Sequence, residues 1–404
     1  MEFIKNIEEE VSVCINSLIG KRENSCKIDY INKVNDKPWG KEYLAYQNKQ
    51  IGIWILHINK DQETSLHCHF KKDTILIPIS GCFKINLYNK FKILNLFESL
   101  YVPRNTFHGI HSYTNDGVLM EIEIYTEAIE YTDKNDLLRI RDIYNRDKTH
   151  YETSVIERTP YENEIMVFES LNKYSINDTE VKIADITSLE DLKTECDKVI
   201  LLEGSIYSNN SKISSGSFID LNSKYSFLTD NIKVICFSNI NYTKINKIIY
   251  SKEHLKDFLN LNKFSNVGLT SGCFDILHEG HIHNLKICKK KCEHLFVCLS
   301  SDEQIKRLKG QLRPINLLND RLNMLLNFDF IDYIILYDEI DDILESELDN
   351  IMNIIDPKIW FKGSDYKKEE IIKKHPGLKN IYLINLIDGK STTIIINKIT
   401  GNTI

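Results

Sequence analysis

Ser271-Gly272-Cys273-Phe274-Asp275-Ile276-Leu277-His278-Glu279-Gly280-His281 is the stretch whose reading decides the fold of the C-terminal third of this 404-residue chain. An apolar run, Val267-Gly268-Leu269-Thr270, ends in a glycine able to turn tightly, and a helical pattern starts near Gly280. The helix N-terminus so placed offers unpaired N–H groups and the positive end of a dipole to phosphates. His278 and His281, three residues apart, can both face the same anion. Outward from this point the chain alternates short buried-type strands (HLFVCLS, YIILY, KIWFKG, IYLINL) with amphipathic helices (RLNMLLNF, NIMNII, TTIIINKI). That rhythm predicts a parallel, doubly wound α/β sheet of Rossmann-like type.

Transfer of a nucleotidyl group requires no protein nucleophile. A substrate phosphate attacks the α-phosphorus in line, and the protein positions both partners while stabilising charge on the oxygens. Imidazoles at a helix N-terminus suit that task. Lys309 and Arg313 are cations on a loop after the second strand, and Lys362-Gly363 with Asp365 stands at the carboxyl edge of a later strand, where ligands of open sheets bind. Ser391, Thr392 and Thr393 open the last helix, where hydroxyls and amides can cap it and meet phosphate oxygens. Asp275 is placed to orient a histidine or to hold Mg²⁺ through water.

GCFDILHEGH, followed in order by Arg307-Leu308-Lys309-Gly310, Arg313-Pro314-Ile315, Asp320-Arg321, Asp356-Pro357, Phe361-Lys362-Gly363-Ser364-Asp365-Tyr366 and Asp388-Gly389-Lys390-Ser391-Thr392-Thr393, resembles the cytidylyltransferase-like nucleotidyltransferase superfamily. Over residues 266–400 it is most similar to the adenylyltransferase domain of bifunctional bacterial ADP-heptose synthases. The resemblance implies His278, His281, Lys309 and Arg313 as catalytic residues. It implies Gly272, Cys273, Phe274, Asp275, Gly280, Lys362, Gly363, Asp365, Ser391, Thr392 and Thr393 as nucleotide-binding, with Mg²⁺ accompanying the nucleoside triphosphate. The small-molecule substrates expected are that triphosphate, ATP or CTP, and a sugar or polyol phosphate.

Residues 50–125 are different in kind. IGIWILHI, DTILIPI, CFKINLY, SLYVP and VLMEIEIY are short β-rich runs between turns, the pattern of an antiparallel sandwich or small barrel. His67 and His69 stand two apart in Leu66-His67-Cys68-His69, so on a strand both imidazoles share a face. His108 from a neighbouring strand completes a facial site, with Asp73 as a fourth ligand, for Zn²⁺, Mn²⁺, Fe²⁺ or Ni²⁺. The motifs resemble the cupin superfamily, whose HxH is followed by a Glu and then by PxGxxH; here Asp73 stands for the Glu and Asn105 for the glycine. Lys37-Pro38-Trp39-Gly40, Glu121-Ile122-Glu123-Ile124 and Asp142-Ile143-Tyr144-Asn145-Arg146 extend the likeness to cupin mannose-6-phosphate isomerase domains over residues 37–147. This implies a metal-assisted aldose–ketose isomerisation, with His57, His111, Glu121 and Glu123 as candidate bases.

A second, worn copy of the β pattern follows. VILLEGSIY repeats the apolar strand, glycine and strand of ILIPISGCFKI, yet the chain holds no histidine between His150 and His254. The expected organisation is an N-terminal helical segment over 1–36, a cupin over 37–150, a degenerate second cupin over 151–240, a connector over 241–265 and the nucleotidyltransferase over 266–404. A net charge of −7 excludes a general nucleic-acid binder, since no basic excess exists to neutralise a phosphate backbone. No stretch approaches a membrane span, no signal pattern opens the chain, and ten cysteines without a framework indicate reduced thiols. A cytoplasmic, homo-oligomeric enzyme without membrane or nucleic-acid partners is expected. Three functions stay open: a bifunctional isomerase–transferase, a transferase whose bicupin only binds or dimerises, and a non-catalytic nucleotide or sugar sensor.

Overall fold

The computed structural model describes residues 29–115, 117–134, 136–144, 156–161, 173–176, 179–190, 192–193, 195–208, 211–213, 215–229, 232–238, 246–337, 347–374, 380–385, 387 and 389–400. Of the N-terminal helical segment expected over 1–36, residues 1–28 lie outside them, and the strand Val34–Lys37 begins within the remainder. Internal packing divides the chain into Met1–Ile240 and Asn241–Ile404.

Among the described residues, the regular elements of the first unit are all β strands. One sheet runs, in spatial order, Ile156–Arg158, Val34–Lys37, Gly40–Gln47, Ile51–Ile58, Gly117–Tyr125, Lys72–Ser80 and Leu100–Val102, with all pairings antiparallel. A three-stranded sheet (Lys90–Leu94, Phe83–Leu87, Gly109–Ser112) and the pair Leu138–Arg141 with Leu66–Cys68 complete this half. The second half repeats that order. Its larger sheet runs Lys173–Ile176, Thr179–Ile186, Ile232–Ser238, Lys198–Glu203, Phe218–Ile219, and its smaller one Ser211–Ile213, Ile206–Ser208, Ser226–Phe227. In each half a later long strand, Gly117–Tyr125 or Ile232–Ser238, lies between two earlier long ones: Ile51–Ile58 and Lys72–Ser80 in the first, Thr179–Ile186 and Lys198–Glu203 in the second. Gly81 and Gly204, each directly after an apolar strand, both take left-handed backbone (φ +84° and +96°) that a side chain would strain.

Alternation along the strands sorts side chains between two cores. Ile53, Ile55, Ile77, Met120 and Ile122 of the first half meet Val181, Ile183, Ile200, Leu202, Ile235 and Phe237 of the second in one apolar layer. The opposite face of the first large sheet lines the first barrel, with Leu44, Trp54, Leu56, Leu76 and Leu119. The second barrel is filled by Leu189, Leu192, Val199, Leu201, Ile206, Ile232 and Val234. Among the described residues its interior is apolar.

The second unit holds a six-stranded, all-parallel sheet in the order Ile248–Ile249, Tyr333–Tyr337, His294–Ser300, Val267–Gly272, Ile359–Gly363, Ile381–Ile384. Apolar clusters cover both faces, as parallel sheets require. The stretch read as a connector contributes an edge strand, Ile248–Ile249, and a helix, Lys252–Leu261, capped by Ser251. Both belong to this unit, because Ile248 and Ile249 register against Ile334 and Ile335. Among the described residues no helix is long and apolar enough to cross a membrane.

Candidate functional site

In the second unit Val267–Gly272 lies inside the sheet. The chain first builds outward on one side of it, through His294–Ser300 and Tyr333–Tyr337, then returns to its other side with Ile359–Gly363. The crevice beyond Gly272 is therefore the switch point at which open α/β sheets bind ligands. Phe274 turns the chain there at φ +48°, and a Cβ on Gly272 would lie 2.9 Å from its ring. His278 is the N-cap of the helix Glu279–Lys290, and His281 stands one turn inside. Their rings stack with centroids 3.9 Å apart. Gly280 permits this, since a Cβ would sit 3.1 Å from the His278 ring and 3.3 Å from the Lys390 carbonyl.

Both Nδ1 atoms are buried and lack a hydrogen-bond partner among the described residues. Burial, then the Lys390 charge, holds His278 below its ordinary range; burial, then His278 itself, lowers His281 to about 4. The site thus keeps two neutral imidazoles whose protonation an arriving polyanion would favour. A second helix start faces them. Ser391 Oγ accepts the Ile394 N–H at 3.2 Å, Thr392 Oγ1 donates to the Ile276 carbonyl at 3.5 Å, and Lys390 pairs with Glu279 at 2.9 Å. The Thr393 side chain lies outside the described atoms.

Other expected residues divide between contact and support. Lys309 is exposed at the end of the helix Asp302–Lys309, where Gly310 at φ +97° stops it. Lys362 Nζ donates to Ser271 Oγ at 2.9 Å and lies 5.3 Å from the Tyr366 ring, at the crevice; Gly363 ends that strand and Asp365 is exposed beyond it. Burial pushes the Cys273 thiol up, so it stays protonated. Asp275 neither orients a histidine nor offers a free carboxylate to Mg²⁺. Its oxygens accept the Ile315 and Asn316 N–H groups, both at 2.8 Å, and the Arg313 Nε–H. Asp275 is a clamp for the 313–316 turn, and Arg313 is held by it. Arg321, quoted above only as part of a motif, is fully buried; it donates to the carbonyls of Asn316, Cys273 and Ser300 and to Asp302. These partners are scattered over 273–316, so spacing alone gave no sign of that hub.

In the first unit His67, His69 and His108 converge, with one ring nitrogen of each within 4.8 Å of the others. Each Nδ1 faces a backbone carbonyl: Ser65 at 2.9 Å, Asp136 at 2.6 Å and Thr106 at 3.1 Å. Those contacts assign Nδ1 as the donor and turn the Nε2 lone pairs toward one point, the arrangement of metal-binding imidazoles. His69 Nε2 is buried without a hydrogen-bond partner, an orphan that a metal ion would satisfy. Burial depresses all three below the usual histidine range, His108 to about 4, which keeps them neutral.

Asp73 does not join them. Cross-strand pairs place Leu76 with Glu121 and Thr74 with Glu123 on the barrel-lining face, so alternation sends Asp73 to the opposite side. Its carboxylate accepts the Arg104 N–H at 2.8 Å. The inward neighbour is Lys72, 3% exposed, in contact with Glu123. A pocket of about 50 Å³ beside the histidines is lined by Lys37, Glu42, Glu121, Glu123, Lys134 and Arg139 together with His67 and His69. Of the four candidate bases, His57 and His111 do not line it. Glu123 is committed: burial would raise it, but Lys72, Lys134 and donors from Tyr125 and Thr132 bring it down to about 2. Burial raises Glu121 to about 7, with Lys134 opposing. Glu121 can therefore exchange a proton near neutrality.

Fold and geometry define a cupin-like β unit and a parallel α/β unit of cytidylyltransferase-like fold on one chain. Residues 269–397 match the cytidylyltransferase-like family, and residues 24–142 match the mannose-6-phosphate isomerase C-terminal family. The chain is 42% identical over 132 residues to the bifunctional protein HldE of Campylobacter fetus, and 40% identical over 149 residues to that of Campylobacter concisus. These matches take in 33% and 37% of this chain and span 27% and 30% of the relatives' lengths. A solved lipopolysaccharide core biosynthesis protein from Thermoplasma volcanium is 28% identical, over 31% of this chain and 98% of that one, with a TM-score of 0.26.

Proposed function

We propose that the C-terminal unit transfers a nucleoside monophosphate from ATP or CTP to a sugar or polyol phosphate, releasing pyrophosphate. The observation that carries this reading is the stacked pair His278 and His281 at a helix N-terminus, each Nδ1 without a hydrogen-bond partner among the described residues, beside a second helix start at Ser391. The triphosphate lies between the two helix starts, with Mg²⁺ arriving as part of the nucleotide substrate. An oxygen of the acceptor phosphate attacks the α-phosphorus, the bond to the β-phosphate's bridging oxygen breaks, and pyrophosphate leaves. His278 and His281 donate to the oxygens that gain charge, Lys309 and Lys362 contact nucleotide or acceptor, and Asp275 and Arg321 hold the surrounding turns.

The cupin half is read as a sugar-phosphate isomerase that prepares the acceptor. A bound divalent metal would polarise the sugar carbonyl there, held by His67, His69 and His108. Glu121 moves the proton between neighbouring carbons, and Lys37, Lys134 and Arg139 face the anionic substrate. Use of the chain as a transferase with a merely structural bicupin is the competing reading, favoured by the filled second barrel.

Pyrophosphate release across four nucleoside triphosphates and a panel of sugar and polyol phosphates tests the first assignment. His281→Ala should lower turnover by on the order of a hundredfold with the fold intact. A loss smaller than about fivefold removes His281 from the chemistry. Metal-dependent interconversion of a phosphosugar, lost in His67→Ala, decides between the two readings of the cupin.

A further inference from the structure

Lys390 and Glu279 meet where the two helix starts of the α/β unit approach each other. Glu279 opens the helix Glu279–Lys290, between His278 and Gly280, and Lys390 stands directly before Ser391 and the helix Thr392–Thr400. The segment carrying Lys390 is pinned against the first helix start. A Cβ on Gly280 would lie 3.1 Å from the His278 ring and 3.3 Å from the Lys390 carbonyl, and Thr392 Oγ1 reaches the Ile276 carbonyl at 3.5 Å. The backbone is held here, but the two charged side chains are not. Lys390 Nζ lies 2.9 Å from Glu279, yet the side chains are 47% and 65% exposed, so water screens the pair and it contributes little to stability.

Glu279 suits the positive end of the helix dipole, but it also stands next to a histidine read as a donor to a polyanion, which a bare carboxylate would repel. Lys390 cancels that charge, and while it does so its ammonium is withheld from phosphate. The ammonium is near enough to the histidines for its charge to lower His278. A triphosphate carries more negative charge than one carboxylate and presents several oxygens to a flexible point charge. Moving Lys390 from Glu279 to such a ligand requires rotation of an exposed side chain and no shift of the backbone.

We propose that Lys390 is a polyphosphate-binding residue of the transferase site, held on Glu279 until the ligand arrives and then exchanged from the carboxylate to the phosphates. This rests on the reading of the crevice at His278 and His281 as a triphosphate site. Lys390 touches the ligand; Glu279 is a positioning residue that keeps the ammonium at the mouth of the site and competes with the incoming anion for it. Ligands of low charge gain least from the exchange, so the pair favours triphosphates over monophosphates.

The test is isothermal titration of the full chain with inorganic tripolyphosphate, a probe that carries the phosphates without a base. Lys390→Met should weaken its binding by about tenfold, the loss of one charge-assisted contact. Glu279→Gln should strengthen it by about threefold, because the ammonium no longer has to leave a partner. Opposite signs are the signature of exchange: a pair that merely braces the two helix starts would weaken binding when either member is replaced. Circular dichroism checks that both variants keep the fold. Weaker binding in both variants, or unchanged affinity in Lys390→Met, overturns the proposal. His281→Ala separates it from the reading beneath it. Binding that falls in His281→Ala and not in Lys390→Met leaves the triphosphate site standing without Lys390, whereas binding indifferent to both substitutions overturns the phosphate reading of the crevice as well.

Discussion

Two sites on this chain use histidines a few residues apart, and the partner of Nδ1 separates their chemistry. In the barrel, each Nδ1 of His67, His69 and His108 is spent on a backbone carbonyl, leaving Nε2 as an inward lone pair. At the switch point of the parallel sheet, His278 and His281 stack face to face at a helix start with Nδ1 unpartnered among the described residues. The first arrangement presents acceptors to a cation. The second keeps imidazoles able to donate to an anion, next to amides that already point there. Residue type is the same in both; the backbone around it sets which sign of charge each set of imidazoles could accept.

The comparison can be broken at several points. The largest effect is expected at the barrel. His69→Ala removes a buried ligand and should lower divalent-metal affinity by on the order of a hundredfold or more, read by isothermal titration. Equal affinity in the variant would mean the metal binds elsewhere. Arg321→Ala comes next. It strips four carbonyl and carboxylate contacts from the turns around the switch point, leaving buried acceptors unpaired, and should cost about 3 kcal/mol in denaturant unfolding. A change below about 1 kcal/mol would show that the turns hold without it.

A pH dependence of similar size follows from His281. Its folded value, about 4, lies below the ordinary 6.5, so the neutral form stabilises the fold. That contribution is present above pH 6.5 and is lost as pH falls through 4, amounting to about 3 kcal/mol for His281. His281→Gln should show a shallower loss of stability over this interval, and a bound nucleoside triphosphate should flatten the wild-type curve. Parallel curves for wild type and variant would contradict the assignment. The smallest effect belongs to Asp73→Asn, which should change metal affinity by less than about threefold, because that carboxylate faces Arg104 on the far side of the strand. A large loss would return Asp73 to the ligand set.

Much of this was legible in the residues themselves. Strand–turn–helix around GCFDILHEGH, the parallel sheet and the shared face of His67 and His69 all follow from local pattern, where spacing of two or three residues sets geometry. Asp73 was misplaced because its role depends on register: one residue of shift exchanges it for Lys72 on the lining face. Asp275 looked like a partner for a metal or a histidine, yet its hydrogen bonds run to residues 40 and 41 positions further on. Arg321 was visible only as a member of a motif, and Glu121 only as one of four candidate bases. Their work depends on burial and on charges brought in from other strands, which no window of sequence contains.

The most direct measurement crosses the two sites in one protein. Pyrophosphate release and divalent-metal binding are both measured in wild type, His281→Ala and His69→Ala. The account predicts a clean exchange, with His281→Ala losing nucleotidyl transfer by on the order of a hundredfold while binding metal as wild type does, and His69→Ala doing the opposite. Loss of metal binding in His281→Ala, or undiminished pyrophosphate release there, would contradict the claim that the two sets of histidines serve opposite charges.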